Sequence, residues 1–404
     1  MTATDQLLLR LLRGGARADT LDPGLVGDVS WPEFLERCEA HGVAPLVARS
    51  LETLGWPGVS PAAREALTRA RRTNAARTLL AIQALRRVLE ALSCAHVPVI
   101  PLKGVALGES LYGDPALRVS SDIDVLVPRA AVPRAWAAIT ALGYVRVEEE
   151  PDVAPDDLDL LIESNHEYGF VSPDAPARAL ELHWDIAWRW PRDAGAIADL
   201  WAEARPRDFW GVPGWTLGPV WQLLYLAVHA ARHRWHALKW LVDVHEICRR
   251  GGLDWGEIRA RAIRFGLDEA LYITLGASAA LLDTPVPPDV CARRLPSWLE
   301  LFPATPRPLG VWRGALYPAR LFARPADKAA YVARVLLRPT LGERRWIRLP
   351  ARLGALYYPL RPLRLAGRWA KALTSLRDRA DHRGSARPPG RRKAGPSPSH
   401  QESA

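Results

Sequence analysis

The sequence predicts an α+β fold, a small mixed-sheet core flanked by helical regions on both sides. Three observations lead there. The segment Asp122-Ile123-Asp124-Val125-Leu126-Val127 is an apolar run carrying two aspartates two apart, and it reads as a buried strand. Upstream, residues 97–102 read as a second strand that passes through Lys103-Gly104 into the helical spacing of residues 105–112. Flanking these, residues 61–92 and 219–282 place apolar side chains at helical intervals, among them Leu85, Val88, Leu89 and Leu92.

In chain order, residues 1–95 form an N-terminal helical region. Thr4 or Asp5 caps its first helix, and Pro32 takes a tolerated first-turn position in a second. Residues 96–190 form the α/β core. It runs through the strand at 97–102, the helix at 104–112, the turn Gly113-Asp114-Pro115 and the strand at 122–127. A helix over 130–142 is closed by Gly143. A weak edge strand at 144–147, an acidic loop over 148–159 and strands at 167–171 and 179–184 complete the unit. Residues 191–300 return to helix as a C-terminal bundle. Residues 301–375 read as a basic helical arm that Pro350, Pro359 and Pro362 keep from being continuous. Residues 376–404, rich in Arg, Pro, Ser and Gly, are expected to be disordered.

The chemistry starts at the two aspartates. Side chains two apart on a strand point the same way, roughly 6.5–7 Å apart. Asp122 and Asp124 therefore share one face, and Ile123 and Val125 turn to the other. Ionised carboxylates buried side by side lose their water. Hard divalent cations repair that loss, and carboxylates at this spacing can hold two Mg²⁺ ions for in-line phosphoryl chemistry. The alternative is a strand starting at a loop rim, with Asp122 capping and Asp124 solvated. The strand, glycine turn and helix start at 97–105 leave free backbone N–H groups where a phosphate could sit, and Gly104 permits close approach. Lys103 can neutralise a triphosphate as a point charge. Arg118 can do the same or pair with Asp122, and Ser121 can bond phosphate or cap its loop. Further on, His229 and His233 share a helix face. With Lys239 and Asp243 of the next helix they could line a cleft for a base or an acceptor, or form a buried network joining two helices. The missing H-E-x-x-H pattern argues against a zinc protease.

Several of these residues lie in a recognisable order. L-K-G-x-A-L at 102–107 is followed by L-Y-x-D-P-x-L-R-x-S-S-D-I-D-V-L-V at 111–127, then Gly143-Tyr144, E-L-H-W at 181–184 and H-x-x-x-H-x-W-x-x-L-K-W-L-x-D-V at 229–244. This order resembles the uncharacterised bacterial nucleotidyltransferase family of the DNA polymerase β-like superfamily, over roughly residues 30 to 285. The resemblance implies that Glu181 is a third carboxylate, completing with Asp122 and Asp124 a catalytic site for two Mg²⁺ ions. It implies an NTP substrate, with the nucleoside monophosphate moving to a hydroxyl of a small-molecule, peptide or protein acceptor. By position alone, Glu181 sits mid-strand between Leu180 and Leu182, and could instead bridge across the sheet to an arginine such as Arg146. His183, two residues on, shares its face and could touch nucleotide or serve as a satisfied structural histidine. The superfamily usually shows Gly-Ser or Gly-Gly after the first strand; here Gly104-Val105 stands there, so the serine that would touch the triphosphate is absent. A non-catalytic scaffold acting with a protein partner is therefore the alternative function.

Charge is unevenly placed. Residues 301–404 hold 22 Lys/Arg against 5 Asp/Glu, a net of +17; with +10 overall, the first 300 residues carry −7. A basic arm on an acidic body suggests an anionic partner for the arm, either nucleic acid or a membrane surface. No template-binding domain is visible, which argues against a polymerase. No apolar run is long enough to span a bilayer, and no basic n-region marks a signal peptide. Cys38, Cys94, Cys248 and Cys291 fit no zinc or redox spacing, as expected of buried thiols in a reducing cytoplasm.

Overall fold

The computed structural model describes residues 1–14, 23–148, 153–172, 175–187, 195–291, 294–299 and 311–367. The expected disordered tail at 376–404 and the end of the arm lie outside these residues.

The N-terminal helices are α1 (Ala3–Leu12), α2 (Pro23–Gly27), α3 (Trp31–Ala40), α4 (Ala44–Thr53) and α5 (Pro61–Cys94). The cap of α1 is Thr2 rather than Thr4 or Asp5, with Asp5 at the third helical position accepting from Thr2 N, and the Ser60 hydroxyl accepts from Ala63 N at the start of α5, with Pro61 in its first turn. Over its 34 residues α5 buries Leu67, Asn74, Ala81, Leu85, Val88 and Leu92, one stripe at helical spacing.

Five strands follow: β1 (Ile100–Pro101), β2 (Asp122–Leu126), β3 (Val145–Arg146), β4 (Glu167–Ser172) and β5 (Ala175–His183), ordered β1-β2-β5-β4-β3. Only β2 and β5 run parallel. Helices α6 (Gly104–Tyr112), α7 (Val132–Ala141) and α8 (Leu158–Ser164) connect them. Alternation along β2 and β5 gives the sheet two unlike faces. Ile123, Val125, Leu180 and Leu182 enter a core with Leu85, Val88 and Ile139 of α5 and α7. Asp122, Asp124, Glu181 and His183 lie on the other face, where Leu126 joins the core of the helical bundle.

That bundle comprises α9 (Ala196–Glu203), α10 (Pro219–Arg232), α11 (Leu238–Arg250), α12 (Trp255–Phe265) and α13 (Asp268–Leu282). Its core, with Trp221, Leu224, Val228, Leu241 and Leu275, is continuous with Leu7, Phe34 and Val47 of the N-terminal helices. Beyond it, the helices Pro325–Leu337 and Leu341–Trp346, a 3₁₀ turn Ala351–Leu356 and a helix over 357–367 form the arm.

Four further sequence expectations are corrected. The stretch from 193 to 300 is not all helical: β6 (Arg205–Phe209) and β7 (Val212–Thr216) form a hairpin whose turn, Trp210-Gly211, has positive φ at both residues. Trp215 N donates to Val99 O at 2.9 Å, so the hairpin occupies the hydrogen-bonding edge beside residues 97–99 and β1 is shorter than expected. The supposed loop over 148–159 contains a 3₁₀ turn, Pro155–Asp157, and the start of α8. Cys38 and Cys248 are buried as expected, but Cys94 is exposed. Among the described residues no helix is long and apolar enough to cross a membrane.

Candidate active site

The parallel pairing of β2 with β5 sets Asp124 directly beside Glu181. Asp124 is fully buried, Glu181 is half-buried, and Asp122 stands at the solvent end of β2. Lys103 Nζ lies 2.9 Å from Asp124 Oδ1 and 3.4 Å from Asp122 Oδ2, so its buried ammonium sits between the two aspartates. His183 Nε2 lies 3.2 Å from Asp124 Oδ1 and 3.4 Å from Glu181 Oε2. On its far side His183 Nδ1 is 3.1 Å from Glu167 Oε2, because the β4–β5 register pairs those residues. Arg232 of α10 donates to Glu167 Oε1 at 3.1 Å and closes the network.

The charges interlock. Burial alone would raise the Asp124 carboxyl, but Lys103 and His183 hold it well below the usual carboxylate range. Burial likewise favours neutral Glu167, yet contact with the His166 ring and the charges of Arg232 and His183 keep it ionised. Burial would lower Lys103, and Asp124 outweighs it, so the ammonium persists. Glu181 moves the other way, raised by burial and by the Asp124 charge. His183 is lifted to about 9, since Asp124, Glu167 and Glu181 together overcome burial. A protonated imidazole does not ligate a metal. In the metal-free chain His183 is therefore a cation that spaces carboxylates.

These shifts set a pH optimum for stability. His183 binds its proton more tightly folded than unfolded, a contribution complete below its ordinary value of 6.5 and lost as pH rises towards about 9. Burial holds His41 and His166 down to about 4, so the unfolded chain takes up protons below 6.5 that the folded chain refuses. The thermal midpoint of the metal-free protein is expected to peak near pH 6.5 and fall on both sides. His183→Gln removes the alkaline decline. A wild-type midpoint that is flat from pH 6.5 to pH 9 would contradict the clamped imidazole.

Gly104 opens α6 at φ +69°, and a Cβ there would stand 3.2 Å from Ser120 Oγ. Ser120 in turn donates to Asp122 O at 2.9 Å, so the glycine turn packs against the entry to β2. Gly104→Ala is expected to cost about 1–2 kcal/mol in urea denaturation, through left-handed strain. The loop Val119–Ser121 borders a cavity of about 870 Å³ whose walls include Asn74 and Arg77 of α5 and Lys239 and Trp240 of α11. Lys239 Nζ donates to Val119 O at 3.4 Å, and burial lowers its pKa to about 8.

Other sequence candidates fall elsewhere. Arg118 and Asp243 are buried against each other, with Arg118 Nε donating to Asp243 Oδ2 at 3.0 Å and Tyr112 Oη to Oδ1 at 2.8 Å. Arg118 thus fastens the loop to α11. His229 and His233 pack on the Trp240 ring, at 5.4 and 4.9 Å between centroids. Glu167, Arg232 and the buried Tyr225 were not singled out from sequence. Tyr225, His229 and Arg232 recur at i, i+4 and i+7 on α10, a signal for the two α10 residues; Glu167, at the start of β4, carries none.

The residues present suit a metal. Ligand atoms of Asp124, Glu181 and His183 all lie within 4.8 Å of one another. Asp124 Oδ2 is buried and receives no hydrogen bond among the described residues. Lys103 and His183 already face Asp124 Oδ1, and the unfilled Oδ2 is the position left for a further cation.

A glycine turn before a helix, then an aspartate-bearing strand paired in parallel with a third carboxylate, is a layout for nucleotidyl transfer. Residues 27–283 match the family described as uncharacterised nucleotidyltransferase, and the chain belongs to that family. The family implies an NTP substrate and places the protein among transferases. No curated protein matches the chain. Among solved structures it is similar to the antibiotic-resistance factor ANT(2'')-Ia, at 17% identity over 46% of this chain and 91% of the other, with a TM-score of 0.32. It is also similar to an antigenic nucleotidyltransferase-like protein from Paracoccidioides brasiliensis, at 14% identity over 51% of this chain and 93% of the other, with a TM-score of 0.31.

Proposed function

We propose that the protein transfers a nucleoside monophosphate from an NTP to a hydroxyl of a small-molecule, peptide or protein acceptor. The pairing of buried Asp124 with Glu181, with Asp124 Oδ2 lacking a donor, carries this reading. Asp122, Asp124 and Glu181 would hold two Mg²⁺ ions, which supply charge neutralisation for the leaving pyrophosphate and acidify the acceptor hydroxyl. The chain's own residues do the rest. The Gly104 turn and Ser121 receive the phosphates, and Lys103 supplies their counter-charge. The acceptor oxygen attacks the α-phosphorus, and pyrophosphate leaves with the electron pair of the broken P–O bond. The hydroxyl proton leaves to solvent. Arg118 positions the loop without touching substrate, and the cavity beside Ser121 and Lys239 accommodates the acceptor.

Thermal midpoints measured with each NTP, with and without Mg²⁺, test this reading. A rise with an NTP that requires Mg²⁺ and disappears in Asp122→Asn is expected, since a ligand binding only the folded state stabilises it. Asp122 is the control because, unlike Asp124, it is not fully buried. Two features favour a second reading, a non-catalytic scaffold paired with a protein partner: Val105 stands where a serine or glycine is usual, and Lys103 already fills the space between the aspartates. No shift with any NTP at millimolar concentration would select that reading.

A further inference from the structure

Large apolar side chains exposed to solvent are concentrated in one short stretch of the chain. Of the fourteen among the described residues, six lie between 346 and 363: Trp346, Ile347, Leu353, Leu356, Tyr358 and Leu363. Their positions follow from how the arm is pinned. Glu343, fully buried, accepts from Arg361 at 3.1 Å and Arg364 at 2.8 Å. The Thr340 hydroxyl also donates to it. Tyr357 Oη donates to Ile347 O and accepts from Leu349 N. The helix over 357–367 therefore buries Tyr357, Arg361 and Leu365, one face at i, i+4 and i+8. Its opposite face presents Pro359, Leu363 and Ala366 to solvent. Leu353 and Leu356, three apart in a 3₁₀ turn, point the same way as each other. A helix that turns a cation inwards and leucine outwards inverts the usual arrangement, and Leu363 is 63% exposed.

Charge says what covers this face. Between Arg344 and residue 367 there is no acidic residue, while Arg345, Arg348 and Arg352 are exposed among the apolar groups. We propose that residues 344–367 dock on an anionic lipid bilayer. Leucines enter the boundary between headgroups and acyl chains, Trp346 and Tyr358 lie at headgroup level, and the arginines bind lipid phosphates. Nucleic acid fits less well, because four of the six groups, Ile347, Leu353, Leu356 and Leu363, are aliphatic and offer neither a stacking surface nor a hydrogen bond. A second copy of the arm would bring like charge against like, and so would residues 368–404, with nine Lys/Arg against three Asp/Glu.

Flotation of the full chain with vesicles tests the proposal. The protein is expected to float with phosphatidylcholine vesicles containing roughly one third phosphatidylglycerol, and to stay behind with phosphatidylcholine alone. Leu353→Ser/Leu356→Ser/Leu363→Ser should cut the bound fraction about tenfold with an unchanged thermal midpoint. Arg345→Glu/Arg348→Glu/Arg352→Glu should abolish binding by an independent route. Absence of binding to anionic vesicles overturns the proposal. So does binding that survives the leucine substitutions, which would be charge attraction by the tail alone. Binding of RNA or DNA that both the full chain and the leucine variant share, with no vesicle binding, would assign the arm to nucleic acid instead.

Discussion

Asp124→Asn is expected to lower stability by about 3–5 kcal/mol and to abolish nucleotidyl transfer. The amide keeps the shape of the carboxylate but removes the charge that Lys103 faces at 2.9 Å and His183 at 3.2 Å. Both cations remain buried, and the half-exposed Asp122 at 3.4 Å is a poor replacement for Lys103. Breaking a buried pair on one side strands the other charge, and this is why the cost exceeds that of a surface pair. Urea denaturation should show the loss as a lower midpoint at unchanged slope. Lys103→Met/Asp124→Leu, which removes both charges, should recover most of the stability and none of the activity. If Asp124→Asn unfolds at the wild-type midpoint, Lys103 is not held by Asp124.

Asp243→Ala is the second large effect, again about 3–5 kcal/mol, for a residue that faces Arg118 and Tyr112 rather than the three strand carboxylates. It leaves the Arg118 guanidinium and the Tyr112 hydroxyl without the carboxylate that both address. Arg118 leads into Val119–Ser121, and Lys239 on the same helix as Asp243 reaches the Val119 carbonyl. Helix α11 therefore holds the loop at two points. Loss of one should raise KM for NTP more than it lowers kcat, because the loop is displaced while Asp122, Asp124 and Glu181 stay on their strands. Arg118→Met/Asp243→Leu should restore stability. A kcat loss as large as that of Asp124→Asn, with KM unchanged, would instead put Asp243 in the reaction itself.

Much of the core was legible because its signals are local. Ile123, Val125 and the two aspartates alternate over four residues, and Glu181 lies between Leu180 and Leu182 in the same way. The glycine turn is fixed by its own left-handed backbone and the serine beside it. What escaped is non-local or disguised. Arg232 meets Glu167 across 65 residues, and Arg118 meets Asp243 across 125, so neither pairing leaves a period to read. Arg118 had an acidic neighbour at Asp122 that made a nearer and wrong partner plausible. The β6–β7 hairpin carries Pro206 and Pro213 inside its strands, which demote a strand reading. The hairpin tolerates them because it is a two-stranded sheet of its own, with edges where a missing N–H costs little.

The ammonium lodged between the aspartates has a consequence for how the protein is made. Many small metal-binding folds wait for their ion, and a chelator unravels them. Here the chain brings its own counter-ion on the residue before Gly104, so the acidic face can close during synthesis without drawing on the cell's pool of divalent ions. Any ion that arrives later must displace an occupant that is already paired. Folding is thereby separated from metal supply, and EDTA should leave the thermal midpoint of the purified protein where it was.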